Sequence, residues 1–201
     1  MFSDECYVYL GDNRGRIYVT WHPDEELLEE CLVPAFKQST VHVMVWGCIV
    51  KDQKGPLVVL EYPGGKGGGM NSKHYQEQVL EPVLLPLYYL LDQERGNMRF
   101  QQDGTPSHSS KVTKRWFAQH GIPLFPHPPS SPDLNPIEPL WHILKSTLRH
   151  LPHPPTTVNG LRAAVLRAWE EIPVEVINHQ IGNMDHRVKA VLAARGGHTR
   201  F

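Results

Sequence analysis

Asp103, in FQQDG, and Glu138, in LNPIE, are the acids whose setting could support chemistry. Thirty-four residues lie between them, room for one helix and one more strand before the chain returns. Two carboxylates on separate elements can then meet at one end of a sheet, and converging carboxylates are the donors that hard divalent cations prefer. Each acid also has a local reading. Glu138 can close a capping box by bonding the Asn135 backbone amide at the start of a helix, and Asp103 can bond backbone amides in the turn after its strand. Taken alone, local sequence favours these structural readings over chemistry for both acids.

The elements that would position these acids follow from pattern. Met98, Phe100 and Gln102 alternate with Arg99, Gln101 and Asp103, the period of a half-buried strand, and Gly104-Thr105-Pro106 breaks it. Asp103 is therefore expected at the C-terminal edge of that strand. Asn135-Pro136-Ile137-Glu138 reads as N-cap, proline at the first helical position and an acid at the third, with an apolar face at 137, 140, 141, 144 and 148. A helix over Ser109 to His120 is expected to turn Val112, Trp116 and Phe117 inward and Lys111, Lys114 and Arg115 outward. A short strand at Ile122 to Phe125 and a proline-stiffened connector from Pro126 to Pro132 then lead to Glu138.

The N-terminal part reads as β structure. Cys6 to Leu10 and Arg16 to Trp21 flank a turn and predict a hairpin whose first strand carries Asp4, and Val41 to Val50 with Gly55 to Leu60 predict a second hairpin. From Asn71-Ser72 a long helix is expected to reach about Leu91, with Tyr75, Val79, Val83, Leu87 and Leu91 on one stripe and Pro82 and Pro86 bending it. After Pro155, Thr156 or Thr157 caps a helix burying Val158, Leu161, Val165, Trp169 and Ile172. A last helix shows Ile177, Ile181, Met184, Val188 and Val191 or Leu192 on one face. Hairpins followed by alternating helices and strands predict an α/β fold with a mixed sheet.

Composition narrows the class. The 201 residues are 40% hydrophobic and 20% charged, with no apolar run long enough to span a membrane, which suits a globular chain of one domain. Three widely spaced cysteines fit neither a zinc site nor a disulfide framework and point to a reducing compartment. No secretory signal is visible at Met1. Net charge is −1, yet residues 104 to 201 hold 11 Lys and Arg against 6 Asp and Glu. A basic half can face phosphates while acids elsewhere hold a cation; solvated helix faces would read the same. Residues 63 to 70 are glycine-rich but lack the Gly-Lys-Ser/Thr ending of a phosphate loop, so a surface loop is expected.

The blocks FSDE at 2 to 5, VHVMVWGCI at 41 to 49, GPLVVLE at 55 to 61, MNSKHY at 70 to 75, QQDGTPSH at 101 to 108, PPSSPDLNPIEPLWHILK at 128 to 145 and GGHTRF at 196 to 201 occur in that order. Together they resemble the catalytic domain of Tc/mariner superfamily transposases, and the glycine-rich insert is similar to that of fungal members. The resemblance implies a ribonuclease H-like fold, a mixed β-sheet flanked by helices. It also implies that Asp4, Asp103 and Glu138 are the three catalytic acids and bind two Mg²⁺ or Mn²⁺ ions. A metal pair of this kind activates one oxygen and stabilises the leaving one without a protein nucleophile. The implied activity is cleavage of DNA at transposon ends and strand transfer into target DNA, with a homodimer possible, nuclear localisation, and no membrane or small-molecule cofactor.

Around this core, His108 follows Asp103 closely and can hydrogen-bond behind it or approach DNA. Lys111, Lys114 and Arg115 can touch phosphates or simply solvate their helix. Trp141 is expected to pack its helix on the sheet. Gly104 stands where many relatives carry asparagine. Relatives also carry an N-terminal helix-turn-helix region, so the expectation is one catalytic domain over 1–201, truncated at its N-terminus, with C-terminal helices over 156–195. Only three residues would precede Asp4 on its strand, which is expected to hold it poorly. The alternative to a working enzyme is an impaired transposon remnant or host-adopted DNA-binding or interaction module that keeps the fold.

Overall fold

The computed structural model describes residues 1–11, 41–63, 69–197 and 199–201. The expected strand Arg16 to Trp21 and the centre of the glycine-rich loop lie outside the described residues. Among the described residues, three antiparallel strands form the sheet in the order β1 (Phe2–Tyr9), β2 (His42–Val50), β3 (Gln53–Leu60). The β2–β3 hairpin turns through Lys51 and Asp52, with Asp52 in the left-handed region at φ 65°. The other edge of β1 is extended by parallel pairing: Phe2 bridges Gln101, and Phe100 bridges Leu124. The sheet is therefore mixed, as expected.

The segments expected as strands near 98–103 and 122–125 are present only as these bridges. Pro123 and Pro126 carry no N–H to donate, so the outer ladder reduces to Phe100 N–H on Pro123 O at 3.0 Å and Phe125 N–H on Phe100 O at 2.7 Å. On the inner side Gln101 N–H bonds Met1 O at 2.9 Å and Ser3 N–H bonds Gln101 O at 3.2 Å. These bonds, with the pairing of Asp4 opposite Gly47 on β2, correct the expectation that the first strand holds Asp4 poorly. Over its first residues β1 is bonded on both edges.

Strand alternation sends successive side chains to opposite faces. Cys6, Val8, Val43, Val45 and Ile49 join one core with Leu140, Trp141, Leu144, Leu161, Val165, Trp169 and Ile177, contributed by α5 (Glu138–Arg149), α6 (Val158–Glu170) and α7 (Val174–Gly182). Trp46, Cys48 and Leu60 join the other, with Tyr75, Leu80, Leu84, Leu91, Phe100, Trp116 and Phe117. Full burial of each large apolar side chain contributes roughly 1.5–3 kcal/mol. Lys54 on β3 docks α6 directly: its Nζ donates to the carbonyls of Trp169 (3.0 Å), Glu170 (2.6 Å) and Ile172 (3.3 Å), a cation at the helix C-terminus.

The long helix after Asn71 departs from a single stripe. α1 (Ser72–Tyr75) runs into a π-helical stretch, Gln76–Leu84, and then α2 (Leu85–Arg95). Pro82 and Pro86 cannot donate within the α pattern, and Leu85 N–H bonds Leu80 O five residues back. The wider turn shifts the buried face from the expected Val83 and Leu87 to Leu80, Leu84 and Tyr88.

Two further expected helices are divided. Ser110 separates α3 (Pro106–Ser109) from α4 (Lys111–Gln119) and caps the latter by accepting from Thr113 N–H at 3.1 Å. Val112 thereby faces out, 57% exposed, while Trp116 and Phe117 stay inside. Asn183 separates α7 from α8 (Met184–Ala193). Leu192 is 71% exposed and Val188 also faces out; the buried side chain of α8 is Arg187. Val158 is likewise exposed, although Thr157 caps α6 as expected. No helix among the described residues is long and apolar enough to cross a membrane.

Candidate active site

Asp103 emerges where the extended segment beside β1 ends. Its Oδ1 accepts from Thr105 N–H at 3.1 Å, the turn bond expected of an aspartate there, and lies 2.6 Å from His108 Nδ1. His108 is 3% exposed. Its other nitrogen, Nε2, lies 3.0 Å from Glu5 Oε1 on β1, and its ring meets that of Tyr75 at 4.3 Å. Burial alone would push the imidazole down, but its hydrogen bonds to Asp103 and Glu5 outweigh this and hold it up at about 10. His108 is thus an imidazolium donating to two carboxylates. Burial likewise acts to raise Asp103, and the bonds from His108 and the Thr105 amide more than reverse it, leaving Asp103 below its ordinary value.

This placement removes His108 from the residues able to approach nucleic acid, because its ring is enclosed and both nitrogens are engaged. Glu5, Asp103 and His108 offer ligand atoms within 4.8 Å of one another. With the imidazole bonded to both carboxylates, the cluster is a brace behind Asp103. Lys111, Lys114 and Arg115 are exposed on α4, as expected.

Asp4 lies on the opposite face of β1 from Glu5, towards the start of α5. Its Oδ2 accepts from the indole N–H of Trp141 at 3.3 Å. Trp141 also packs in the core against Trp169, ring centres 5.4 Å apart, so one side chain joins the helix packing to the acid. Burial, then the negative charges of Glu138 and Glu5, push Asp4 from 3.8 up to about 8.

Glu138 opens α5 without the expected capping box. The Asn135 backbone N–H bonds Pro132 O at 2.8 Å, so it is not the Glu138 carboxylate that satisfies it. The Asn135 side chain instead accepts from Ile137 N–H at 3.4 Å and donates to Ser3 O at 3.2 Å. That second bond ties the entry of α5 to β1 beside Asp4. Glu138 is left facing a cleft of about 350 Å³ that Asp4, Asp103, Thr105, His127 and Asn135 also line.

The structure therefore brings the three acids expected from sequence to one cleft, from a strand, a post-strand turn and a helix start. Their donor set is all oxygen and suits a hard divalent cation. The upward push of Glu138 on Asp4 is the repulsion that a bound cation would relieve. Sequence reading missed Glu5, Asn135 and the polar contact of Trp141. Glu5 stands next to Asp4 and Trp141 one turn beyond Glu138, but adjacency alone does not reveal their partners.

Comparison with known proteins bears on the family and the fold. A family model described as DDE superfamily endonuclease matches residues 70–157. The chain is 30% identical over 209 residues to the Tc1 transposase of Caenorhabditis elegans, spanning all of this chain and 70% of that protein. It is 32% identical over 205 residues to the Tcb1 transposase of Caenorhabditis briggsae, with the same coverage. Among solved structures, the Mos1 transposase catalytic domain with Mn superposes with a TM-score of 0.63 at 17% identity, covering 98% of this chain and 83% of that one. The Mos1 paired end complex with Mg gives 0.68 at 18% identity, covering 98% and 56%. These likenesses show a shared fold, the ribonuclease H-like arrangement.

Proposed function

The chain belongs to the Tc/mariner superfamily of transposases, DDE endonucleases, and from that premise we propose that it cleaves DNA at transposon ends and joins the freed 3′ strand to target DNA. Asp4, Asp103 and Glu138 would hold two Mg²⁺ or Mn²⁺ ions. The observation that carries this reading is their convergence, from three separate elements, on one open cleft.

When bound, the cations would polarise the attacking oxygen and offset charge on the leaving one, first for water and then for the 3′-hydroxyl. The protein's own groups prepare that site. His108 and the Thr105 amide keep Asp103 ionised and fix its orientation. Trp141 orients Asp4, and Asn135 sets the origin of α5 against β1. Hydrogen bonds of this kind to ligating carboxylates commonly affect metal affinity or activity 10–100-fold. The exposed Lys111, Lys114 and Arg115 supply positive charge for DNA phosphates. Two chains acting on paired ends is the arrangement suggested by the Mos1 paired end complexes.

Plasmid nicking tests the proposal. Supercoiled DNA incubated with Mn²⁺ and the chain should be converted to the open circle, and Glu138→Ala should remove that conversion while leaving the circular dichroism spectrum intact. Equal background in both would instead favour a chain that keeps the fold as a binding module.

A further inference from the structure

Behind the cleft, the 3₁₀ turn Pro132–Leu134 leads into Asn135 and Glu138. The approach to that turn is poor in main-chain donors, since Pro126, Pro128, Pro129 and Pro132 have no N–H. The turn's own bonds are Leu134 N–H on Ser131 O at 3.1 Å and Asn135 N–H on Pro132 O at 2.8 Å. Much of its support comes from the far end of the chain. Arg187 of α8, 2% exposed, donates from Nη1 to Asp133 O at 2.9 Å and from Nη2 to Gln180 Oε1 at 3.2 Å. Its guanidinium lies 4.8 Å from the Phe201 ring centre, a cation–π contact. The Thr199 hydroxyl donates to the Asp133 carboxylate at 2.5 Å and accepts from Phe201 N–H at 3.2 Å.

A guanidinium is costly to bury and is retained where its planar fork fixes specific acceptors. Here one of those acceptors is the carbonyl of the turn that precedes Glu138. The block GGHTRF, singled out in sequence only by resemblance, supplies the two residues that close the clamp from the other side. We propose that Arg187 is a positioning residue for Glu138, acting through the Pro132–Leu134 turn, with Thr199 and Phe201 completing the clamp. This role rests on the assignment of Glu138 to the active site.

Amide hydrogen exchange on the full chain without metal tests the clamp independently of activity. Arg187→Met should speed exchange at the Asn135 and Glu138 amides by about tenfold or more, while the Val165 amide in the core keeps its protection. Thr199→Val, which removes one hydroxyl at the periphery, should speed the same two amides by a few-fold, roughly. Lys189→Ala, exposed on the same helix, should change neither. In plasmid nicking, Arg187→Met should raise the Mn²⁺ midpoint about tenfold, with Arg187→Lys partly restoring it.

Unchanged Asn135 and Glu138 amides in Arg187→Met with the core still protected would overturn the proposal. Should Arg187→Met lose core protection as well, unchanged turn amides in Thr199→Val would overturn it, and faster ones would support it. A chain that fails to nick DNA at all defeats the proposed activity but leaves the exchange result readable.

Discussion

His108 Nδ1 lies 2.6 Å from Asp103 Oδ1, and this bond favours the charged form of both groups. The imidazole is enclosed and the carboxylate is about a third exposed, at 36%; Glu5 holds the second nitrogen. Removing one member of a buried pair leaves its partner uncompensated, at about 3–5 kcal/mol. With Asp103 partly solvated, His108→Asn should cost the lower end of that range, about 3 kcal/mol. A shift of the urea midpoint checks it, and an unchanged midpoint would show that the brace contributes little.

The pH dependence of the metal-free chain follows in sign from two raised groups. Asp4 is pushed from 3.8 to about 8 and His108 from 6.5 to about 10. In both cases the folded state binds more protons than the unfolded one, so stability falls as pH rises. The Asp4 contribution is complete below 3.8 and lost through about 8; that of His108 is complete below 6.5 and lost through about 10. Asp103, held low, loses its contribution only as pH falls below 3.8. Melting temperature in EDTA should therefore decline from weakly acid to alkaline pH, and Asp4→Asn should flatten the part below pH 8. A melting temperature that climbs from pH 5 to 8 would contradict these assignments.

Gly47 sits opposite Asp4 in the sheet, and a Cβ there would come 2.8 Å from Trp141 Cη2 and 3.2 Å from Leu57 Cδ1. Gly47→Ala must displace the indole that bonds Asp4. Overpacking of this kind costs about 1–3 kcal/mol. Thermal unfolding and the near-ultraviolet dichroism of the tryptophans should both change; a wild-type spectrum and melt would mean that the sheet absorbs the methyl group elsewhere.

Lys111, Lys114 and Arg115 stand exposed on the helix that follows Asp103. If they neutralise phosphates, each alanine substitution should lower the slope of log affinity against log salt by about one. Fluorescence anisotropy with duplex DNA at several salt concentrations reads this. Slopes unchanged in all three would identify the face as merely solvated.

Several of these features are legible in sequence because their signals are local. Gly104-Thr105-Pro106 ends the Asp103 segment, and Asn135-Pro136 announces α5. The capping box fails as a reading because the 3₁₀ turn ahead of the helix gives the Asn135 backbone N–H to Pro132 O; the tie of the Asn135 side chain to Ser3, 132 positions away, is one no local pattern reveals. The stripe through Val83 and Leu87 assumes 3.6 residues per turn, which two prolines replace with a π-helical stretch. Arg187 looks like an outward polar position between Met184 and Val188 until Asp133, 54 residues earlier, is folded against it. Pairing across the sheet, rather than sequence spacing, puts His108 between Glu5 and Asp103.

The central claim is that Asp4, Asp103 and Glu138 jointly hold divalent cations. Titration of Mn²⁺ into the full chain, followed by electron paramagnetic resonance of the free ion, tests it most directly. Two ions should bind per chain, with Asp4→Asn, Asp103→Asn and Glu138→Gln each weakening or abolishing at least one of them while the fold persists. Identical titration curves for the native chain and all three variants would contradict the account.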